Sequence, residues 1–148
     1  MLISVQTDDF DPTAVATELR GERRDIGAVV SFTGLVRDLT PTRDLVALQL
    51  EHYPGMTESA LRQIARSATQ RWPVDDLAII HRVGRLQPAE QIVLVVVLSA
   101  HRRAAFEACD FLMDFLKTRA PFWKKEITVR GEAWVEARPS DQDDADRW

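Results

Sequence analysis

Read for the spacing of its apolar positions, the 148-residue chain divides into short segments of strand and helix period. "LISV" near the start is a first strand. Asp11-Pro12 then marks a helix start: a carboxylate cap is followed by a proline whose missing N–H costs nothing at the first helical position. That helix is predicted to run to about Arg20. "GAVVSFTGLVRD" is rich in β-branched residues and reads as a strand reaching toward Arg37. "LTPTRD" is a loop, and "LVALQLEHY" alternates as a second strand, predicted antiparallel to the one before it. After the turn "PGMTE", Leu61, Ile64, Ala65 and Ala68 recur at helical spacing, with Thr57 the expected cap and Trp72-Pro73 the stop. "DLAIIHRVG" and "EQIVLVVVLSA" are strands joined by the turn "RLQPA". The second hardly alternates, so it is predicted to be central and covered on both faces. Ser99 is expected to cap a helix from Ala100 to about Thr118, with an apolar stripe through Phe106, Cys109, Met113 and Leu116. Pro121 ends that helix, and "FWKKEITVRGEAWVEA" reads as a hairpin turning near Arg130-Gly131. The order β-α-β-β-α-β-β-α-β-β predicts one α+β domain over residues 1–148 with a largely antiparallel sheet. The tail from Pro139 to Trp148, "PSDQDDADRW" after its arginine, has an acidic, linker-like composition.

Composition adds exclusions. Hydrophobic residues at 45% and charged residues at 28% are ordinary for a soluble globular protein. A net charge of −4 is the wrong sign for broad nucleic-acid binding. "MLISVQTDDF" has neither the basic start nor the apolar run of a signal peptide. The longest apolar run, Ile92 to Leu98, falls far short of the roughly 20 residues a membrane helix needs. One cysteine forms no internal disulfide, which suits a reducing cytoplasm.

Against this acidic background, "FLKTRAPFWKKE" crowds Lys117, Arg119, Lys124 and Lys125 around Pro121. Two readings stand side by side. In the structural one, Lys117 complements the dipole at a helix C-terminus and Lys124 is a solvated strand residue that discourages aggregation. In the functional one, the break at Pro121 aims both ammonium groups into one pocket walled by Phe122 and Trp123. Desolvation and a neighbouring cation depress a lysine pKa, giving a nucleophile or general base near neutrality. His101-Arg102-Arg103 sets cations at a helix N-terminus, against the dipole. Either an anion binds there or these side chains point to water. Arg37, before a loop, is a weaker candidate of the same kind. Three histidines show no metal-ligand spacing, and there is no Gly-rich phosphate loop and no G-x-S-x-G. Cys109 falls on the apolar stripe and reads as core; His81, inside a hydrophobic strand, reads as structural.

"FTGLVRD", "LEHYPGMTE", "RWP…IIHRVG", "SAHRRAAFEACDFLMDFLKTRAPFWKKE" and "WVEAR" closely resemble the large, catalytic subunit of molybdopterin synthase, from about Gly27 to Trp148. Residues 1–26 and the loop from Leu39 to Asp44 match weakly. The resemblance implies an α/β-hammerhead with added, mainly antiparallel strands. It implies a sulfurtransferase that converts cyclic pyranopterin monophosphate (precursor Z) into the molybdopterin dithiolene. The sulfur comes from the Gly-Gly thiocarboxylate of a small ubiquitin-like subunit, and the assembly is a homodimer within a heterotetramer. No metal or other cofactor, nucleic acid or membrane is implied. Carried over by residue, Lys117 and Lys124 are the catalytic pair. Arg37, His101 and Arg102 hold the phosphate, and Arg138 is an arginine supplied by the opposite subunit. Phe32, Met113 and Glu126 line the pocket. Two other functions fit the cations: a non-catalytic adaptor docking a ubiquitin-like tail, and a generic anion-binding regulatory domain.

Overall fold

A computed structural model of the chain describes residues 1–148. Two four-stranded sheets share one large core. The first has the order β1-β4-β6-β2, built from Leu2–Gln6 (β1), Asp76–Arg82 (β4), Gln91–Ser99 (β6) and Ala28–Leu35 (β2). Only the β1–β4 pair is parallel. The second, wholly antiparallel, has the order β5-β3-β7-β8, from Gly84–Leu86 (β5), Leu45–His52 (β3), Phe122–Thr128 (β7) and Gly131–Val135 (β8). Four helices complete the chain: Pro12–Arg20 (α1), Met56–Arg71 (α2), Arg102–Arg119 (α3) and Pro139–Asp146 (α4). The α+β class and the largely antiparallel pairing are as the sequence predicts.

β6 is central, as its unbroken apolar run requires. Val93, Val95 and Val97 face the core under α2 and α3, while Leu94, Val96 and Leu98 face a second cluster with Phe10 under α1. α1 starts as expected, with Asp11 Oδ1 accepting from Thr13 and Ala14 N–H at 3.0 and 3.1 Å.

Several expectations fail for identifiable reasons. β2 and β3 do not pair: β2 lies on β6, and β3 lies between β5 and β7. Val36 stays tied to the first sheet through Glu90 O and Ala89 N at 2.9 and 2.7 Å. The Asp38 carboxylate then accepts from Thr40 and Leu45 N–H, turning the chain into the second sheet. Ser99 does not cap α3 from its own position. The helix begins at Arg102, and the Ser99 hydroxyl accepts from His101 N–H while donating to Pro73 O. The buried stripe of α3 runs through Ala104, Ala105, Ala108, Cys109, Leu112 and Leu116, whose small members let the helix lie close to the sheet, and Phe106 points out at 63% exposure. Gly27 permits the tight return into β2, because a Cβ there would sit 2.3 Å from Ala100 O.

The tail is also not a linker. Pro139 occupies the first turn of α4, and Arg147 and Trp148 dock its far end. Arg147 bonds Asp110 and Asp114, Trp148 Nε1 donates to Asp114 Oδ2 at 2.7 Å, and the indole packs edge-on against Trp72 and Phe111.

Candidate active site

The bend between the two lysines is compact. Ala120, extended because it precedes Pro121, accepts from Phe122 N–H at 2.9 Å across the proline, and β7 begins at once. Lys117 is therefore in the last turn of α3 and Lys124 three residues into β7. In register, Lys124 lies between Leu50 of β3 and Val135 of β8, on the face it shares with Phe122 and Glu126. By its accessible surface Lys124 is an exposed residue, while neighbouring protein atoms crowd its ammonium. Desolvation, then the charge of Lys117, then that of Arg138, depress its pKa below the ordinary lysine value, and Asp141 opposes them. The charge of Lys117 thus reaches Lys124 across the bend, which the purely solvated reading does not provide.

Of the two aromatics expected to wall this space, only Phe122 shares the strand face of Lys124. Its ring stacks on His81 at 3.8 Å between centroids and 18° between planes. Trp123 projects to the other face, 46% exposed and tilted against Tyr53. Lys125 is on that other face too, paired with Glu132 at 3.0 Å and lying over Trp134. His81 is buried. Its Nδ1 bonds Arg82 O at 2.8 Å, and burial pushes its pKa down to about 4, so the imidazole is neutral around pH 7. Burial pushes the Cys109 thiol up to about 12, which leaves it unreactive at neutral pH.

α4 delivers two further charged groups. Arg138, just before the helix, acts on the charge of Lys124 in its own chain. Asp141 accepts from Arg138 N–H at 3.3 Å and places Oδ1 3.5 Å from Lys117 Nζ. Asp141 was not among the residues expected from sequence. The signal for it was present: Arg138-Pro139-Ser140-Asp141 sets Pro at the first helical turn and an acidic residue two positions on, the pattern of a helix start.

The other expected residues fall into two groups. Arg37 follows β2 at the end where β6 begins, the end toward which α3 runs with Lys117. Met113 lies one turn before Lys117, partly buried against the core. Phe32 shares the α3-bearing face of β2 with Val30 and is 40% exposed, and Glu126 is half-buried beside Lys124. His101 and Arg102 are not with them. They open α3, and Arg102 is about 22 Å along the helix axis from Lys117. His101, Arg102 and Arg37 are exposed and enter none of the ion pairs of the chain. One chain therefore gathers Lys117, Lys124, Arg138 and Asp141, with Arg37 at the same end of the sheet, and sets His101 and Arg102 apart.

Residues 5–119 match the family model described as "MoaE protein". The molybdopterin synthase catalytic subunit of Pseudomonas aeruginosa is 57% identical over 148 residues, covering 100% of this chain and 99% of that one. Among solved structures, the molybdopterin biosynthesis MoaE protein of Burkholderia ambifaria superposes with a TM-score of 0.85 at 54% identity, covering 99% of this chain and 97% of that one. Molybdopterin synthase from Staphylococcus aureus superposes with a TM-score of 0.83 at 32% identity, covering 89% and 95%. With matches of this extent in sequence and fold, the chain belongs to the MoaE family.

Proposed function

We propose that the chain is the catalytic, sulfur-transferring subunit of molybdopterin synthase, acting in molybdenum cofactor biosynthesis at the Lys117–Lys124 site. The observation that supports the residue assignment is the tight Pro121 bend, which joins the last turn of α3 to β7 with Lys117 on one side and Lys124, its pKa held below the ordinary lysine value, on the other. The site takes the C-terminal thiocarboxylate of a small ubiquitin-like subunit and cyclic pyranopterin monophosphate. Lys117, half-exposed, meets the thiocarboxylate, with Asp141 holding its ammonium in the resting chain. Lys124, able to shed its proton more readily than an ordinary lysine, moves protons as the carbon–sulfur bond forms. Preorganised cations around the pterin stabilise negative charge developing there. Arg37, His101, Arg102 and Arg138 bind the substrate phosphate, with Phe32, Met113 and Glu126 lining the pocket.

The 22 Å figure above bears on assembly. Arg102 and Lys117 of one α3 cannot reach one small substrate, so a site using both draws them from two copies of the chain. A homodimer, each copy carrying one small subunit, meets that requirement. The word "subunit" in the name of the Pseudomonas relative fits work alongside another chain. One buried cysteine and no disulfide fit work in the cytoplasm.

The test is mass spectrometry of the pterin product after incubation with thiocarboxylated partner. Lys117→Ala is expected to abolish dithiolene formation while circular dichroism and elution volume stay those of the parent. Parental turnover in that variant would refute the assignment.

A further inference from the structure

Two long sequence blocks, "HYPGMTE" and "LKTRAPFWKKE", are far apart in the chain and meet in the structure, and one of their contacts is a side-chain hydrogen bond. Thr57 is not the cap of α2. Gly55 is, and Thr57 sits inside the first turn, fully buried. Its hydroxyl accepts from Tyr53 N–H at 2.9 Å and donates to Pro121 O at 3.2 Å, at the apex of the bend between the lysines. On the next residue, Phe122, the His81 ring is stacked from β4 of the other sheet, itself locked by the bond to Arg82 O. Phe122 is also in register with His52 of β3. The bend is thus gripped at consecutive residues from α2 and from the first sheet, with Lys117 four residues before the proline and Lys124 three after it.

We propose that Thr57 and His81 are positioning residues for the lysine pair, holding the Pro121 bend so that Lys117 and Lys124 face one space. This rests on the reading of those lysines as the catalytic pair. Any small polar residue would satisfy the helix end, but only a donor at this position reaches the bend. The aromatic stack does the complementary job, since it anchors Phe122 where β7 leaves the bend, and strand alternation then carries that placement to Lys124, two residues on. A misplacement of about 1 Å at such a site costs up to a hundredfold in rate.

The experiment combines turnover with competitive acylation of Lys124 across a pH series, read by peptide mass spectrometry on folded protein isolated by size exclusion. The groups bearing on Lys124 are Lys117 from α3, Arg138 and Asp141 from α4, and His81 from β4, and all remain in the Thr57 variants. Thr57→Val is expected to cut kcat at least tenfold with KM for the pterin within threefold, and to move the Lys124 titration up toward that of an ordinary lysine; Thr57→Ser restores both. His81→Leu is expected to act like Thr57→Val and His81→Phe, which keeps the ring, to stay near the parent. Variants that merely melt earlier, with parental kcat and Lys124 titration in the folded fraction, would overturn the proposal. If Lys117→Ala and Lys124→Ala turn over normally, the catalytic reading itself fails; if they are dead while Thr57→Val and His81→Leu are parental, only the positioning roles fail.

Discussion

Trp148→Ala removes the anchor of α4, and its effect is calculable from the contacts. The half-buried indole packs edge-on against Trp72 at 5.5 Å and Phe111 at 5.8 Å, and its Nε1 donates to Asp114 Oδ2 at 2.7 Å. A buried tryptophan removes about 200 Å² from water. Half of that, at about 25 cal/mol per Å², is worth roughly 2.5 kcal/mol. The lost hydrogen bond adds well under its full value, because Asp114 keeps both bonds from Arg147. About 3 kcal/mol in total corresponds to roughly a hundredfold increase in the open population of α4. The eight residues of α4 are too few to stay helical once undocked. Hydrogen exchange read on the peptide covering residues 139–148 should therefore accelerate about a hundredfold, with the β6 and α3 peptides nearly unchanged. Exchange of that peptide within threefold of the parent would refute the view that Trp148 holds Arg138 and Asp141 over the lysines.

Two further outcomes are expected. Asp141→Asn should leave the melting temperature almost unmoved, since its pair with the half-exposed Lys117 is worth under about 1 kcal/mol, yet tighten binding of an anionic Gly-Gly tail severalfold by freeing the ammonium; fluorescence anisotropy with the labelled partner tail checks this, and unchanged or weaker binding counts against it. His81 takes up its proton at about 4 in the folded chain and at 6.5 in the unfolded one, so the unfolded state binds it first as pH falls. Stability should drop between pH 6.5 and 4, by about 3 kcal/mol at the lower end, and be unaffected by this group above that window; urea titrations of the parent and His81→Phe should diverge there and nowhere higher.

Much of the fold was legible because local signals and tertiary needs agree. The Asp11-Pro12 start, the unbroken apolar run of β6 and the proline stop at 121 each have one physical reading, and each is found. The failures share a cause. Pairing partners are not written in a strand: β3 alternates equally well against β2 or β7, and the Val36 and Asp38 hydrogen bonds that accompany the change of sheet lie in a stretch that reads from sequence as the end of a strand. The short β5 was lost inside a turn, and the acidity of "PSDQDD" masked the helix start that Pro139 and Asp141 announce.

The site shows the same division between what a chain states and what it leaves to geometry. That Lys117 and Lys124 flank a proline is visible by inspection; that Thr57 bonds its carbonyl and His81 stacks on the next residue is not, because the first contact spans 64 residues and the second joins two sheets. The separation of His101 and Arg102 from the lysines, by contrast, follows from the helix alone. A continuous helical pattern from Arg102 to Arg119 fixes its ends about 25 Å apart, so cations at both ends cannot share a ligand within one chain. That length makes the cations a question of assembly: the Arg102 end and the Lys117 end of α3 stay apart within one chain, so an anion contacted by both would have to lie between two copies of the chain.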